Sequence, residues 1–260
     1  MRLNITFAPL KKEVTFPLNY NYGLQSFIYH HISEKLATFL HEKGYLVGKR
    51  RFKLFTFSRF SGKFKIDFPH EEIMFIGPFH FYVSSPIDNF IQQFAEDLIK
   101  SEEVKLFKES VAIASIQANS APPMQSSLVM RMLSPLTVYS TFFSPQGKKK
   151  TYYYSPFEKE FSKLIKENLT KKYQALYKAI PSNDDFTIIR IKVTKNSEKI
   201  IKYTPKKGSY TVIKGWMGVY KVEGNSELIR LGYEAGLGSK NPQGFGMFEI
   251  NNFPKIKKLA

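Results

Sequence analysis

Residues 232–250, GYEAGLGSKNPQGFGMFEI, constrain this chain more than any other stretch. Leu228, Ile229, Leu231 and Ala235 have helical spacing. Gly236 and Gly238 can end that helix, because glycine enters the left-handed region without a Cβ penalty. A polar turn over 239–243 contains Pro242, and Gly244-Phe245-Gly246 leads into the alternation Met247, Phe248, Glu249, Ile250, a strand pattern. Four glycines thus bracket one basic residue, Lys240. Such a loop lets a backbone approach a phosphate chain with N–H groups free to donate. An ordinary glycine-rich helix-to-strand connection has the same composition. The stretch is neither a Walker loop, whose Gly-Lys-Ser/Thr is missing, nor a dinucleotide fingerprint, which joins a strand to a following helix.

The charge narrows the partner. With 39 Lys+Arg against 22 Asp+Glu the formal net charge is +17, which favours a polyanion and nucleic acid first. A membrane is not expected: no apolar run reaches eighteen residues and the first residues read as a strand rather than an export signal. With no cysteine there are no disulfides, thiolate metal sites or Cys nucleophiles, and a cytoplasmic location fits. At 260 residues with 43% hydrophobic and 15% aromatic residues, the chain can build one large or two small cores.

Taken in order, Leu3, Ile5 and Phe7 alternate as the inward face of a strand. A turn follows at 17–23, then a helix over 24–32, a break at Ser33 as a plausible N-cap, and a second helical piece ending at Gly44. Residues 43–65 hold Lys43, Lys49, Arg50, Arg51, Lys53, Arg59, Lys63 and Lys65 with no acid between Glu42 and Asp67. Five phenylalanines are threaded among them, as core or as stacking platforms, and the spacing predicts a hairpin around Ser61-Gly62. A strand over 75–84, a helix opened by Pro86, and strands near 103–107 and 110–118 complete the first half. The polar stretch 118–126 places a domain boundary, giving units 1–118 and 119–260. The second half predicts a strand over 128–141, a loop at Lys148–Lys150, a helix over 156–179, paired strands at 188–193 and 199–203, a strand over 211–222, a helix over 226–235, and the last strand. Both halves can be written strand, helix, strand, strand, helix, strand, the ferredoxin-like order. The expected class is therefore α+β. Residues 190–214 add eight basic residues against one acid.

The five histidines (30, 31, 41, 70, 80) form no H-E-x-x-H and no evident ligand set, so no metal or other cofactor is expected. No nucleophile elbow occurs either.

Gly-Leu-Gly, five residues, then Gly-Phe-Gly before a last strand resembles the C-terminal signature of the CRISPR repeat-processing endoribonucleases of the repeat-associated mysterious protein superfamily. The N-terminal blocks LQSFIY (24–29), LATFLHE (36–42) and KLFTFS (53–58) resemble archaeal-type members of the same family, and Glu158-Lys-Glu-Phe extends the similarity into the second half. The resemblance implies two tandem ferredoxin-like (RRM-like) domains and an active site of Tyr29, His41 and Lys53. It implies a metal-independent endoribonuclease that cuts CRISPR repeat RNA in precursor transcripts, leaving 2′,3′-cyclic phosphate and 5′-hydroxyl ends. The RNA would be held by Lys49, Arg50, Arg51, Gly236, Gly238, Ser239, Lys240, Asn241, Gln243, Gly244 and Gly246. Subunits of a CRISPR effector complex and a second copy of the chain stand as further partners.

The residue types suit that chemistry. Histidine moves protons near neutral pH, a tyrosine hydroxyl supplies the complementary transfer or a hydrogen bond, and lysine opposes charge developing on phosphorus. One straight helix would put Tyr29 and His41 roughly 18 Å apart along its axis, so the break at Ser33 must fold the second piece back. His41 could instead simply end a helix, where its charge suits the dipole, with His30 or His31 as substitutes. The alternative reading is a non-catalytic repeat-RNA-binding subunit of a CRISPR effector complex.

Overall fold

The computed structural model describes residues 1–206 and 209–251. The first half runs β1 (Arg2–Pro9), β2 (Glu13–Pro17), α1 (Asn21–His30), α2 (Glu34–Thr38) continued by a π-helical turn (Phe39–Lys43), β3 (Tyr45–Val47), β4 (Arg50–Phe52), β5 (Thr56–Phe57), β6 (Ser61–Asp67), β7 (Glu72–Ser84), α3 (Asp88–Ile99), β8 (Glu103–Leu106) and β9 (Glu109–Asn119). The second runs β10 (Ser127–Met132), β11 (Tyr139–Phe143), β12 (Lys149–Tyr153), α4 (Glu160–Tyr177), β13 (Phe186–Lys192), β14 (Glu198–Lys206), β15 (Ser209–Trp216), β16 (Val219–Gly224), α5 (Ser226–Ala235) and β17 (Phe248–Ile250).

Each half carries an antiparallel sheet of ferredoxin-like order. In the first, β9, β1, β7 and β6 lie side by side, with β2, β5 and β8 added at the margins. In the second the order is β13, β16, β10, β17. Numbered along each βαββαβ unit, both read 4-1-3-2, the arrangement expected from the alternation of strands and helices.

Leu3, Ile5 and Phe7 are fully buried, because a period of two sends them all to the face covered by helices. Around them Phe16, Phe60, Phe75, Phe79 and Phe81 stack or meet edge to face with centroids 4.9–6.2 Å apart. Of the phenylalanines in the basic run, Phe55, Phe57 and Phe60 are core and Phe64 is exposed. The second core gathers Met130, Ile165, Leu169, Tyr220, Leu228 and Phe248, and it also receives Leu54 from the first half.

Several expectations are corrected. Ser61 and Gly62 lie inside β6, and the turn of that hairpin is at 68–71. Gly62 is there because a Cβ would come 2.9 Å from the Phe79 Cβ across the ladder. The strand expected over 128–141 is two strands, interrupted at Ser134-Pro135. Lys149 and Lys150 belong to β12 rather than a loop. β13 pairs with β16, while β14 pairs with β15. The strand expected over 211–222 is cut by Gly218, whose φ of +129° suits only glycine. Alternation alone does not reveal which strands pair.

Among the described residues, three two-stranded ribbons lie outside the two sheets: β3–β4, β11–β12 and β14–β15. Among the described residues no helix is long and apolar enough to cross a membrane.

Candidate active site

The geometry starts at Ser33. Leu24, Phe27 and Ile28 of α1 are buried, and Tyr29 is half-buried. Ser33 is extended (φ −58°, ψ 144°) and its hydroxyl accepts from the Leu36 N–H at 3.4 Å, so it caps α2 after the chain has turned. α2 then widens into a π-helical turn that carries His41; such turns recur at functional sites. Gly44 closes it with φ +62°, where a Cβ would sit 2.7 Å from the Phe52 carbonyl. The Arg51 guanidinium donates to the Glu42 carbonyl, so β4 holds this turn from the side.

Lys53 follows β4. Its neighbour Leu54 has a left-handed backbone, φ +52°, which costs an L-residue on the order of 1–2 kcal/mol. Packing in the second core and a 2.7 Å hydrogen bond from the Ser85 hydroxyl to the Leu54 carbonyl offset that strain. Lys53 Nζ lies 5.3 Å from the centre of the Tyr29 ring. Burial pushes the Lys53 ammonium down and the Tyr29 phenol well up from their ordinary values. The Tyr29 hydroxyl is buried and makes no hydrogen bond to another protein group among the described residues.

The glycine-rich loop arrives from the second half. Gly236, Gly238, Gly244 and Gly246 have φ of +81°, +66°, +82° and +80°. Each is also crowded: a Cβ on Gly238 would lie 2.4 Å from the Thr137 carbonyl, and one on Gly246 only 2.0 Å from that of Leu237. Many loop amides are already used. Leu237 N–H donates to Gly246 O, Ser239 N–H to Thr137 O, Gln243 N–H to Lys240 O, Gly244 N–H to Asn241 O and Gly246 N–H to Pro135 O. The loop is therefore not an open cradle of free N–H groups; its rigidity presents side chains. Lys240, itself left-handed at φ +59°, has Nζ 5.1 Å from the Tyr139 ring centre, and burial lowers its pKa.

Across the domain interface, Thr56 Oγ1 donates to Phe245 O at 3.0 Å. A cavity of about 760 Å³ lies beside these elements, and Tyr29, His41, Lys53, Lys240 and Gln243 all line it. A second cavity of about 700 Å³ shares Lys53, Lys240 and Gln243 with it and adds Arg50, Arg51, Gly238, Ser239 and Asn241. Together they make one basic groove between the halves, and each of the three ribbons contributes to its walls. A proton-transfer group, a phenol and two partly desolvated lysines around one space suit an anionic ligand whose charge changes during reaction.

Lys49 stands at the exposed tip of the β3–β4 ribbon, and Gly236, Gly244 and Gly246 are buried behind the groove; none of the four lines it. His30 and His31 line neither cavity. His30 Nδ1 is 2.7 Å from the Ser26 carbonyl, and His31 Nδ1 is 2.7 Å from Asp97 Oδ2 with its ring against Phe27. Among the described residues no three His, Asp or Glu side chains come together.

Sequence reasoning missed the β14–β15 wall, where Tyr203, Thr211 and Ile213 reach the first cavity, and the Tyr203 hydroxyl donates to Gln25. It also missed Lys172. The signal was present there: Phe161, Ile165, Asn168, Leu169 and Lys172 fall on one helical face, so a lysine continues an apolar stripe.

The comparisons agree with this architecture. The family described as "CRISPR associated protein Cas6, C-terminal" matches residues 119–250, and "CRISPR-associated protein Cas6, N-terminal" matches residues 15–117. The CRISPR-associated endoribonuclease Cas6 of Pyrococcus furiosus is 32% identical over 99% of this chain and 93% of its own. A solved structure of a Cas6-related gene product from Pyrococcus furiosus superposes with a TM-score of 0.82 at 28% identity, covering 97% of this chain and 98% of its own. A repeat-associated mysterious protein described as binding different RNA substrates superposes at 0.81 with 27% identity, covering 96% and 99%. With both family halves matched in order and a relative similar over nearly its whole length, this chain belongs to the Cas6 family of CRISPR-associated proteins.

Proposed function

We propose that this protein is an endoribonuclease that cuts CRISPR repeat RNA within precursor transcripts, without a metal ion. The observation that carries the reading is the convergence of Tyr29, His41 and Lys53, from three separate elements, on one cavity with Lys240 of the glycine-rich loop.

In the proposed step the nucleotide 2′-hydroxyl gives its proton to the His41 imidazole and its oxygen bonds to the adjacent phosphorus. The P–O5′ bond breaks and the departing 5′-oxygen takes up a proton from solvent water in the open groove. The products are a 2′,3′-cyclic phosphate and a 5′-hydroxyl. Tyr29, whose phenol is held protonated by burial, acts as a hydrogen-bond donor rather than a base. Lys53 and Lys240 oppose the negative charge that grows on the phosphorane oxygens. Arg50 and Arg51 hold flanking phosphates along the groove, with Ser239, Asn241 and Gln243 on its loop side. In this division residues 1–118 supply the catalytic groups and residues 119–260 the loop that faces them.

Incubation with repeat RNA in EDTA tests the reading: cleavage to cyclic-phosphate and 5′-hydroxyl ends supports it, and tight binding without cutting sinks it. The second reading is a repeat-binding subunit without activity. It is favoured by the likeness to a relative described only as binding RNA, and by a Tyr29 hydroxyl that makes no hydrogen bond to any catalytic partner.

A further inference from the structure

Lys172 is a lysine only 2% exposed, on the inner face of α4. Its ammonium donates to the Gly236 carbonyl at 2.6 Å, the Gly238 carbonyl at 3.0 Å and Asn241 Oδ1 at 2.6 Å. Among the described residues no carboxylate hydrogen-bonds or ion-pairs with it. A buried cation without a counter-charge is expensive, and burial pushes this one down to about 7. Against that, all three partners are acceptors, and only the charged form carries three hydrogens to satisfy them together. The cost is offset by three fixed dipoles.

Those partners are the loop itself. Gly236 and Gly238 begin it, and Asn241 sits at its centre, its amide donating to the Leu237 and Phe245 carbonyls at 2.9 Å each. Lys172 therefore joins the entry of the loop to its middle. Lys240 immediately precedes Asn241 and Gln243 follows two residues later; both line the cavity that holds Tyr29, His41 and Lys53. An apolar residue at 172 would leave two carbonyls and an amide oxygen buried without donors, and the loop would shift to find water.

We propose that Lys172 is a positioning residue for cleavage: it pins the glycine-rich loop so that Lys240 and Gln243 face the reacting phosphate. The inference rests on the endoribonuclease reading and names a residue that acts through others: Lys172 reaches the wall of the second cavity, but its ammonium is engaged by three loop acceptors.

The test compares wild type, Lys172→Met, Lys240→Ala and the double variant in single-turnover cleavage of repeat RNA, with hydrogen exchange of loop amides 237–246 measured alongside. Misplacement by about 1 Å can cost on the order of 10²-fold in rate. Lys172→Met should thus cut about 10–100-fold more slowly, bind RNA within a few fold of wild type, and exchange its loop amides faster. In the Lys240→Ala background the same change should cost less, because one of the two groups it positions is gone. Equal cost in both backgrounds, or wild-type cleavage by Lys172→Met, would overturn the inference, as would unchanged loop exchange. If Lys172→Met does not fold, Lys172→Gln, which keeps donors, is judged by the same criteria. A wild-type protein that binds repeat RNA but never cuts it defeats the endoribonuclease reading instead.

Discussion

The Asn21 side-chain amide donates to the Gln243 carbonyl oxygen at 2.8 Å. Asn21 opens the helix that carries Tyr29, and Gln243 belongs to the loop that carries Lys240. One short hydrogen bond thus ties the first half's site helix to the second half's loop. Asn21 is buried, and its amide also lies 3.4 Å from Gly244 O. The spacing between the two sets of candidate catalytic groups is therefore built into the domain interface.

The first prediction separates rate from stability at Tyr29. Tyr29→Phe removes a buried hydroxyl that bonds no protein group among the described residues, so the melting temperature should hold or rise while single-turnover cleavage falls. His41→Ala should slow cleavage by roughly 10²–10⁴, the range of one positioned acid–base group, and leave RNA binding within a few fold. Kinetics and thermal melts on the two variants check this. Wild-type rates in both would mean that neither side chain carries the chemistry.

Replacing the ribose before the cut with its 2′-deoxy form removes the proposed nucleophile. Cleavage should be abolished and most affinity kept, as gel analysis and a binding titration can show. Cutting of the deoxy substrate would require attack by water instead.

The glycines should report on packing more than on phosphate contact. Gly246→Ala places a Cβ 2.0 Å from the Leu237 carbonyl at φ +80°. Gly48→Ala meets nothing within 4 Å at φ +54°. Chemical denaturation should show a loss of about 1–2 kcal/mol for Gly48→Ala, the left-handed backbone cost alone, and clearly more for Gly246→Ala. Similar losses in the two would mean that the loop yields easily.

Repeat-RNA affinity should fall steeply with salt, because each phosphate neutralised on a single strand contributes a slope of about −0.7. Arg50→Ala should reduce that slope by about one such unit with little effect on the rate at saturation. Arg51→Ala should affect both, because Arg51 also holds the Glu42 carbonyl beside His41. Affinities measured across a salt series distinguish the two outcomes.

Much of this protein was legible in order along the chain. Periodicity predicts β1, α3, α5 and β17, and local chemistry predicts the Ser33 cap and the glycine loop, because those signals depend on neighbours a few residues apart. The grouping of Tyr29, His41 and Lys53 around one cavity was implied only through resemblance, since nothing in a histidine's local sequence marks it as facing a cavity. Tertiary structure decided the rest. It exchanged the partners of β13 and β14, turned Ser61-Gly62 from a turn into a strand, and brought Tyr203 to the site from a ribbon in the other half. It also showed that Gly238 and Gly246 answer to backbone atoms of Thr137 and Leu237, Gly236 and Gly244 to side chains of Asn241 and Phe57, and that a lysine on α4 donates to three acceptors of the loop. Strand pairing, close approach and burial of a charge are all set by residues far apart in the chain, and no short window of sequence contains both members of such a pair.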